Sequence, residues 1–309
     1  MKDLVYAISF LNTNHSSDYD DNDDEWDQER IENNWLSAYD AVRHFFNVYR
    51  ANEGDWASTW ILMNCGVEML NEKGGSNRIT LLMKSAERHD IHFMHHLLKA
   101  GADHGISDQW GNTALHFAIK NKEAVKKLLK AKALVDAVNV NGVTPLMWAA
   151  RAGATTSIIA LIVGRANIQH QSRDGSTALM TAAMHGHAKS VRTLLQWGAQ
   201  PNIVDEDGFT ALMWASFYGQ HECVDCLLKM GARKDLECKD GYTAEEWAGN
   251  NYTNVIIENY LFEDDPDWTP PFILNPDGTR TRYGETISTV IIQLLESFEI
   301  TMNRLRRKK

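Results

Sequence analysis

Six threonines fall along this chain at nearly even steps: Thr80, Thr113, Thr144, Thr177, Thr210 and Thr243. Four of the five intervals are 33 residues and the other is 31. Around most of them runs a shared pattern, seen most fully from Asp205 to Ala232. It reads D-G-x-T-x-L, then small and apolar residues up to a glycine, then a second apolar run closing on L-L-x-x-G-A. A fixed period of this size marks a stacked array, in which each copy buries its apolar face against its neighbours. The chain is therefore not one globular core, and a local motif carries information only where it departs from its sister copies.

The residue types within a copy account for two short helices. A threonine hydroxyl caps the first, and Pro145 suits its first turn, where no amide donor is needed. Leu115, Leu146, Leu179 and Leu212 follow as inward positions, and Ala118, Ala149, Ala182 and Ala215 let neighbouring helices approach. The second helix carries Leu-Leu pairs starting at 97, 128, 194 and 227, and Gly101, Gly198 and Gly231 end it in the left-handed conformation. Lys132 and Arg165 stand where that glycine is expected, so these two ends are weak points. The second copy is two residues short around Ile119 to Glu123, which predicts a tighter helical turn there.

These residues carry a resemblance. T-A-L-H-F-A at 113–118, T-P-L-M-W-A-A at 144–150 and H-G-H-A-K-S-V-R-T-L-L-Q-W-G-A at 185–199 look like the ankyrin repeat. The resemblance implies an all-α repeat solenoid of about six ankyrin-type helix pairs, with β-turn fingers and a concave binding side. The array is expected over 77–261, opening on an atypical copy at Thr80 and closing on a capping copy from Tyr242 that lacks the inner leucine.

The ends break the period. Residues 1–30 hold nine acidic side chains against Lys2 and Arg30, an acidic arm that cannot bury itself. Asp18, Asp20, Asn22 and Glu29 match positions 1, 3, 5 and 12 of a calcium loop, but Asp23 replaces the turn glycine and Glu25 an apolar anchor. The plain acidic arm is the better reading. Over 31–73, Ile31, Trp35, Tyr39, Val42, Phe46 and Tyr49 line one helical face, and Asp55 can cap a second helix, so this segment reads as a helical N-terminal cap. Over 262–309, Asn275-Pro276-Asp277-Gly278 marks a turn in a small hairpin, followed by an amphipathic helix from Ile287 to Leu305 with a basic end.

Most of the formal net charge of −10 sits in the acidic arm, which speaks against nucleic acid as a general partner and for a basic or cationic one. The four cysteines are too few and irregular for a disulfide framework, no stretch resembles a signal peptide or membrane span, and a cytoplasmic location is expected. Cys223-Val224-Asp225-Cys226 invites a zinc or redox reading, but sister copies hold Ser190 and Thr193 there, so the two cysteines read as packing residues. Of the histidines on the second helix of the first copy, His96 is expected inward and His92 and His95 toward solvent; a metal site is the minor reading. No metal or other cofactor is expected. There is no phosphate loop, nucleophile elbow or acid pair with a supporting base, so the chain does not read as an enzyme.

Phe117, Trp148, Trp214 and Trp247 stand four places after their threonines, with Thr181 interrupting the series. They are either partner anchors or filling between inner helices. The finger positions have a weaker structural excuse. Trp110, Asn112, Asn141, Val143, Arg173, Asp174, Glu206, Asp207, Phe209, Asp240 and Tyr242 are therefore candidate contacts, with exposed Phe209 and Tyr242 as a binding edge. Together with Trp148, Trp214 and Trp247 they form the candidate partner-binding set. The function expected is a non-catalytic protein–protein interaction module, an inhibitor or adaptor masking a partner surface. The alternative is an effector or enzyme whose activity lies in the non-repeat ends, with the array used for targeting.

Overall fold

A computed structural model describes residues 70–74 and 76–248, together with Asp40, Arg43 and His44. The expected acidic arm, most of the N-terminal cap, the end of the last copy and the C-terminal hairpin and helix lie outside the described residues. The chain forms two compact units, Met1–Arg173 and Asp174–Lys309.

In the first unit the described helices are α1 (Leu81–Glu87), α2 (Ile91–Lys99), α3 (Ala114–Phe117) continued by a 3-10 turn over Ala118–Lys120, α4 (Lys122–Lys130), α5 (Pro145–Arg151) and α6 (Thr155–Val163). The second unit holds α7 (Ala178–Met184), α8 (Ala188–Gln196), α9 (Ala211–Phe217), α10 (His221–Lys229) and α11 (Ala244–Ala248). Within each unit, first helices of successive copies pack on one another, as α1 on α3 and α9 on both α7 and α11. Second helices do the same, as α4 on α6 and α8 on α10. Among the described residues β structure is limited to isolated bridges at Gly74–Ile79, Ser107–Thr113 and Glu237–Thr243, so the fold is all-α.

The threonine period sets where each first helix begins. Thr80, Thr144, Thr177 and Thr210 accept the amide N–H of Met83, Met147, Met180 and Met213 at 3.3, 3.4, 3.2 and 3.2 Å. In three of these copies the methionine reciprocates. The N–H of Thr80, Thr177 and Thr210 points at the sulfur of Met83, Met180 and Met213, 3.5, 3.4 and 3.4 Å away, closing a capping box with a thioether in place of the usual carboxylate. Thr243 has the carboxylate form, its N–H donating to Glu246 Oε2 at 2.7 Å. Behind these caps Leu82, Leu115, Leu146, Leu179, Leu212 and the Ala118, Ala149, Ala182 and Ala215 series are buried.

The missing residues of the second copy shorten its first helix to four residues, and the chain turns into α4 through the 3-10 segment. Asn121 then caps α4 by accepting from the N–H of Glu123 at 3.0 Å and of Ala124 at 3.3 Å. At the ends of the second helices Gly101, Gly198 and Gly231 lie at φ 96°, 94° and 90°. Lys132 and Arg165 are forced into the same region at φ 69° and 70°. The hydrogen bonds match: Ala102 N–H to the Leu97 carbonyl and Ala133 N–H to the Leu128 carbonyl are both 3.0 Å. The L side chains therefore carry strain that glycine would not. His89 takes a left-handed turn at φ 59°, where later copies use Gly153, Gly186 and Gly219.

Candidate functional site

Three of the fingers are tight loops locked by the side chain five places before the threonine. Asp108 Oδ1 accepts the N–H of Trp110 at 2.9 Å and of Asn112 at 2.7 Å. Asn139 Oδ1 accepts from Asn141 and Val143, both at 3.0 Å. Asp205 Oδ1 accepts from Asp207 at 3.0 Å and Phe209 at 2.8 Å. Successive fingers are then strung together by one backbone bond each. Gln109, Val140 and Arg173 N–H donate to the carbonyls of Asn77, Trp110 and Asn141 at 3.2, 2.8 and 3.0 Å, and Glu206 and Lys239 N–H donate to those of Asp174 and Asp207, both at 3.0 Å. This approach is why the finger glycine is fixed: a Cβ on Gly175 would sit 2.7 Å from Glu206 N and 2.8 Å from Asp205 Cα.

With the backbone satisfied, the side chains separate into two groups. Trp110 (46% exposed), Asn141, Arg173, Asp174, Glu206, Asp207, Asp240 and Tyr242 (50% exposed) face solvent, and Val143 is half-buried. Asn112 is buried and structural, its Nδ2 donating to Asp108 at 3.0 Å and its Oδ1 accepting from Asn139 Nδ2 at 3.0 Å. Phe209, expected at an exposed edge, is only 9% exposed. Its ring lies against Trp214 at 4.8 Å and Trp247 at 5.1 Å between centroids, so it forms the floor of the finger and not its edge.

The aromatic series is neither bare anchor nor full core: Phe117, Trp148, Trp214 and Trp247 are all half-buried. In the first unit Trp148 meets Phe117 at 6.0 Å and His116 at 5.5 Å, both edge-on. In the second unit Trp214 is fixed by its indole N–H, which donates to Asp205 Oδ2 at 2.7 Å. From it the cluster extends to Phe217 and Tyr218, both 49% exposed, which the threonine pattern alone does not single out. The available signal was their departure from sister copies, which hold Glu87 and Arg88, Arg151 and Ala152, or Met184 and His185 at those two places.

The remaining chemical candidates are structural. Cys223 and Cys226 are buried on α10; burial pushes the Cys223 thiol up to about 12, helped by Cys226 and Glu222, and burial raises Cys226 as well. Thiols held in that form are poor nucleophiles. His116 is fully buried, its Nδ1 3.1 Å from the Thr113 N–H and its Nε2 3.1 Å from the Val143 carbonyl. Burial drives its pKa down to about 4 against the raising effects of the Val143 carbonyl and of Asp108. His96 is buried as expected, but His92 and His95 are half-buried, not solvent-facing: His92 stacks on His96 at 4.7 Å and His95 meets it edge-on at 5.5 Å. Among the described residues no group of three or more His, Cys, Asp and Glu is placed to hold a metal ion, and no helix is long and apolar enough to cross a membrane.

Comparison with known proteins finds a family model described as ankyrin repeats (3 copies), matching in overlapping stretches over residues 51–137, 82–169, 121–205, 152–240 and 198–267. Among similar curated proteins, palmitoyltransferase AKR1 of Lachancea kluyveri is 28% identical over 155 residues, covering 46% of this chain and 20% of its own. Tyrosine-protein kinase Shark of Drosophila melanogaster is 34% identical over 108 residues, 34% of this chain and 11% of its own. The nuclear factor NF-kappa-B p100 subunit of Xenopus laevis is 31% identical over 84 residues, 25% of this chain and 9% of its own. The chain thus spans a fifth or less of the length of these relatives.

Proposed function

This chain belongs to the ankyrin-repeat family, whose repeats are protein–protein interaction modules, and we propose that it acts without catalysis, as a cytoplasmic inhibitor or adaptor that masks a basic surface of a partner protein. The observation that carries this reading is the division within the fingers. One set of side chains, Asp108, Asn139 and Asp205, locks the loops, and another stands exposed on them, Trp110 and Asn141 in the first unit and Asp174, Asp207, Asp240 and Tyr242 in the second. Preorganised loops lose little conformational entropy on binding, so side chains held there convert contact into affinity. The acidic character of the fingers favours a basic partner and fast, salt-sensitive association.

The test uses a captured partner that is then purified and titrated calorimetrically. Asp207→Asn, Asp240→Asn and Tyr242→Ala together should weaken binding by at least about tenfold while leaving the thermal midpoint unchanged, since exposed rim charges and one aromatic contribute on this scale. Unchanged affinity would remove the fingers from the interface, and affinity insensitive to salt would remove the basic surface.

A second reading is favoured by the relatives, two of which are named as a palmitoyltransferase and a tyrosine-protein kinase and are matched over a small part of their length. In that reading the array targets a catalytic region outside 70–248. Turnover by the full chain that persists when the fingers are substituted would select it.

A further inference from the structure

We propose that the aromatic cluster of the second unit is a seat for an arginine side chain from a basic peptide segment, with Glu206, Asp207 and Asp240 supplying the counter-charge. The proposal rests on the interaction reading and names the chemistry of the partner at one place on the surface.

Six rings form one contiguous cluster there. Tyr242 meets Trp247 at 5.4 Å, Trp247 meets Phe209 at 5.1 Å and Phe217 at 5.6 Å, Phe209 meets Trp214 at 4.8 Å, Trp214 meets Tyr218 at 6.1 Å, and Tyr218 meets Phe217 at 5.1 Å. Phe209 is the buried floor, Trp214 and Trp247 are half-buried walls, and Phe217, Tyr218 and Tyr242 are the half-exposed rim. Single exposed aromatics need no explanation, but Phe217 and Tyr218 adjoin each other and join Tyr242 through the shared base of Trp247, a patch of the kind that marks an interaction site. The Asp205 carboxylate pins the Trp214 indole, so this wall is set before any partner arrives.

Charge decides the occupant. The same two fingers that supply Phe209 and Tyr242 expose Glu206, Asp207 and Asp240, against the single exposed cation Lys239. Among the described residues none of those three carboxylates has a hydrogen-bond or ion-pair partner. Ring faces carry negative quadrupole density, so rings and carboxylates attract the same thing, a cation. An acidic or purely apolar segment would desolvate the carboxylates without compensating them. Arginine suits the site better than lysine because its planar guanidinium lies along a ring face while its edge donates to a carboxylate. Tyr218, 49% exposed and stacked on Trp214 at 19° from parallel, offers such a face.

The experiment titrates the full chain with a capped, glycine-spaced arginine peptide, following tryptophan fluorescence and heat. Control peptides replace arginine with citrulline, which keeps the planar shape and loses the charge, with lysine, or with glutamate. Binding of the arginine peptide, weakened about tenfold by citrulline and to a smaller degree by lysine, and absent for glutamate, is expected from the cation–π and charge terms. Phe217→Ala with Tyr218→Ala should weaken it about tenfold, and Tyr218→Phe should retain it. Glu206→Gln, Asp207→Asn and Asp240→Asn together should weaken it and flatten its salt dependence. All these positions are exposed, so an unchanged thermal midpoint confirms that folding is not the cause. Equal affinity for citrulline or glutamate peptides, or for the Phe217 and Tyr218 double variant, overturns the proposal. If the arginine peptide fails to bind while the purified protein partner still loses affinity to the finger variants, the arginine seat falls and the interaction reading stands; if neither binds, both fall.

Discussion

Acid should weaken the first unit through one histidine, and the structure sets the size and the sign. His116 sits at the third position of α3, where Met83, Met180 and Met213 stand in sister copies. The Thr113 N–H can only donate and the Val143 carbonyl can only accept, so the neutral ring has its proton on Nε2 and accepts at Nδ1. A second proton on Nδ1 would face the Thr113 N–H donor, leaving only the Thr113 hydroxyl oxygen, 3.1 Å away, to accept it in a buried site. Burial holds the pKa down at about 4, against 6.5 in an exposed imidazole. Because the folded value is depressed, the unfolded chain takes up the proton first. The contribution is complete above pH 6.5 and drains away as pH falls toward 4. Linkage gives a loss of about 2.5 kcal/mol between pH 7.5 and 4.5. His116→Met installs the residue the sister copies use. It gives up the bond to Val143, about 1 kcal/mol at every pH, but it has no proton to take up. The two stability curves should cross: the native chain ahead at pH 7.5 by about 1 kcal/mol, the variant ahead at pH 4.5 by about 1.5 kcal/mol. Urea unfolding of both proteins across that range measures the difference, in which every other titrating group cancels. A difference that stays constant with pH, or a His116 imidazole resonance that titrates above pH 6, would refute the reasoning.

Replacing Lys132 or Arg165 by glycine should stabilise the first unit by roughly 0.5–1 kcal/mol each, seen as a raised urea midpoint, because both are held at positive φ. Gly208→Ala should do the opposite in the second unit: at φ 83° its Cβ would lie 2.9 Å from Lys239 N and 3.2 Å from Cys238 Cα. A loss of about 2 kcal/mol or more in the same assay is expected from strain plus backbone displacement. Cys223, with its thiol pushed up to about 12, should resist iodoacetamide at pH 8 in the native protein and react at the rate of a free cysteine in urea, as followed by mass spectrometry of the labelled peptide.

The architecture was legible because its determinants are local and repeated. At five of the six periodic threonines the hydroxyl meets the amide three residues on, and the shortening near Asn121 produced the tight turn its length required. Lys132 and Arg165 adopted the left-handed geometry of the glycines they replace. What escaped the sequence depends on contacts between copies. Phe209 looks like a finger residue until Trp247, one copy later, closes over it. Asn112 earns its burial from Asn139 of the next finger. Methionine as a cap acceptor was not anticipated, since the thioether is ordinarily counted as apolar. Phe217 and Tyr218 carry no signal in the recurring pattern, because it marks what the copies share and these two are the exception.

The bonds that string the fingers together have an evolutionary consequence. In five copies the residue three places before the threonine, Asn77, Trp110, Asn141, Asp174 or Asp207, fastens the next loop through its main-chain carbonyl, and Asn77 adds a side-chain bond from Gln109 Nε2 to its Oδ1 at 3.2 Å. Any amino acid possesses that carbonyl, so the main-chain link between fingers does not depend on the side chain at this place. Selection can rewrite an indole as an amide or a carboxylate there, copy by copy, and recruit a different ally without renegotiating the scaffold.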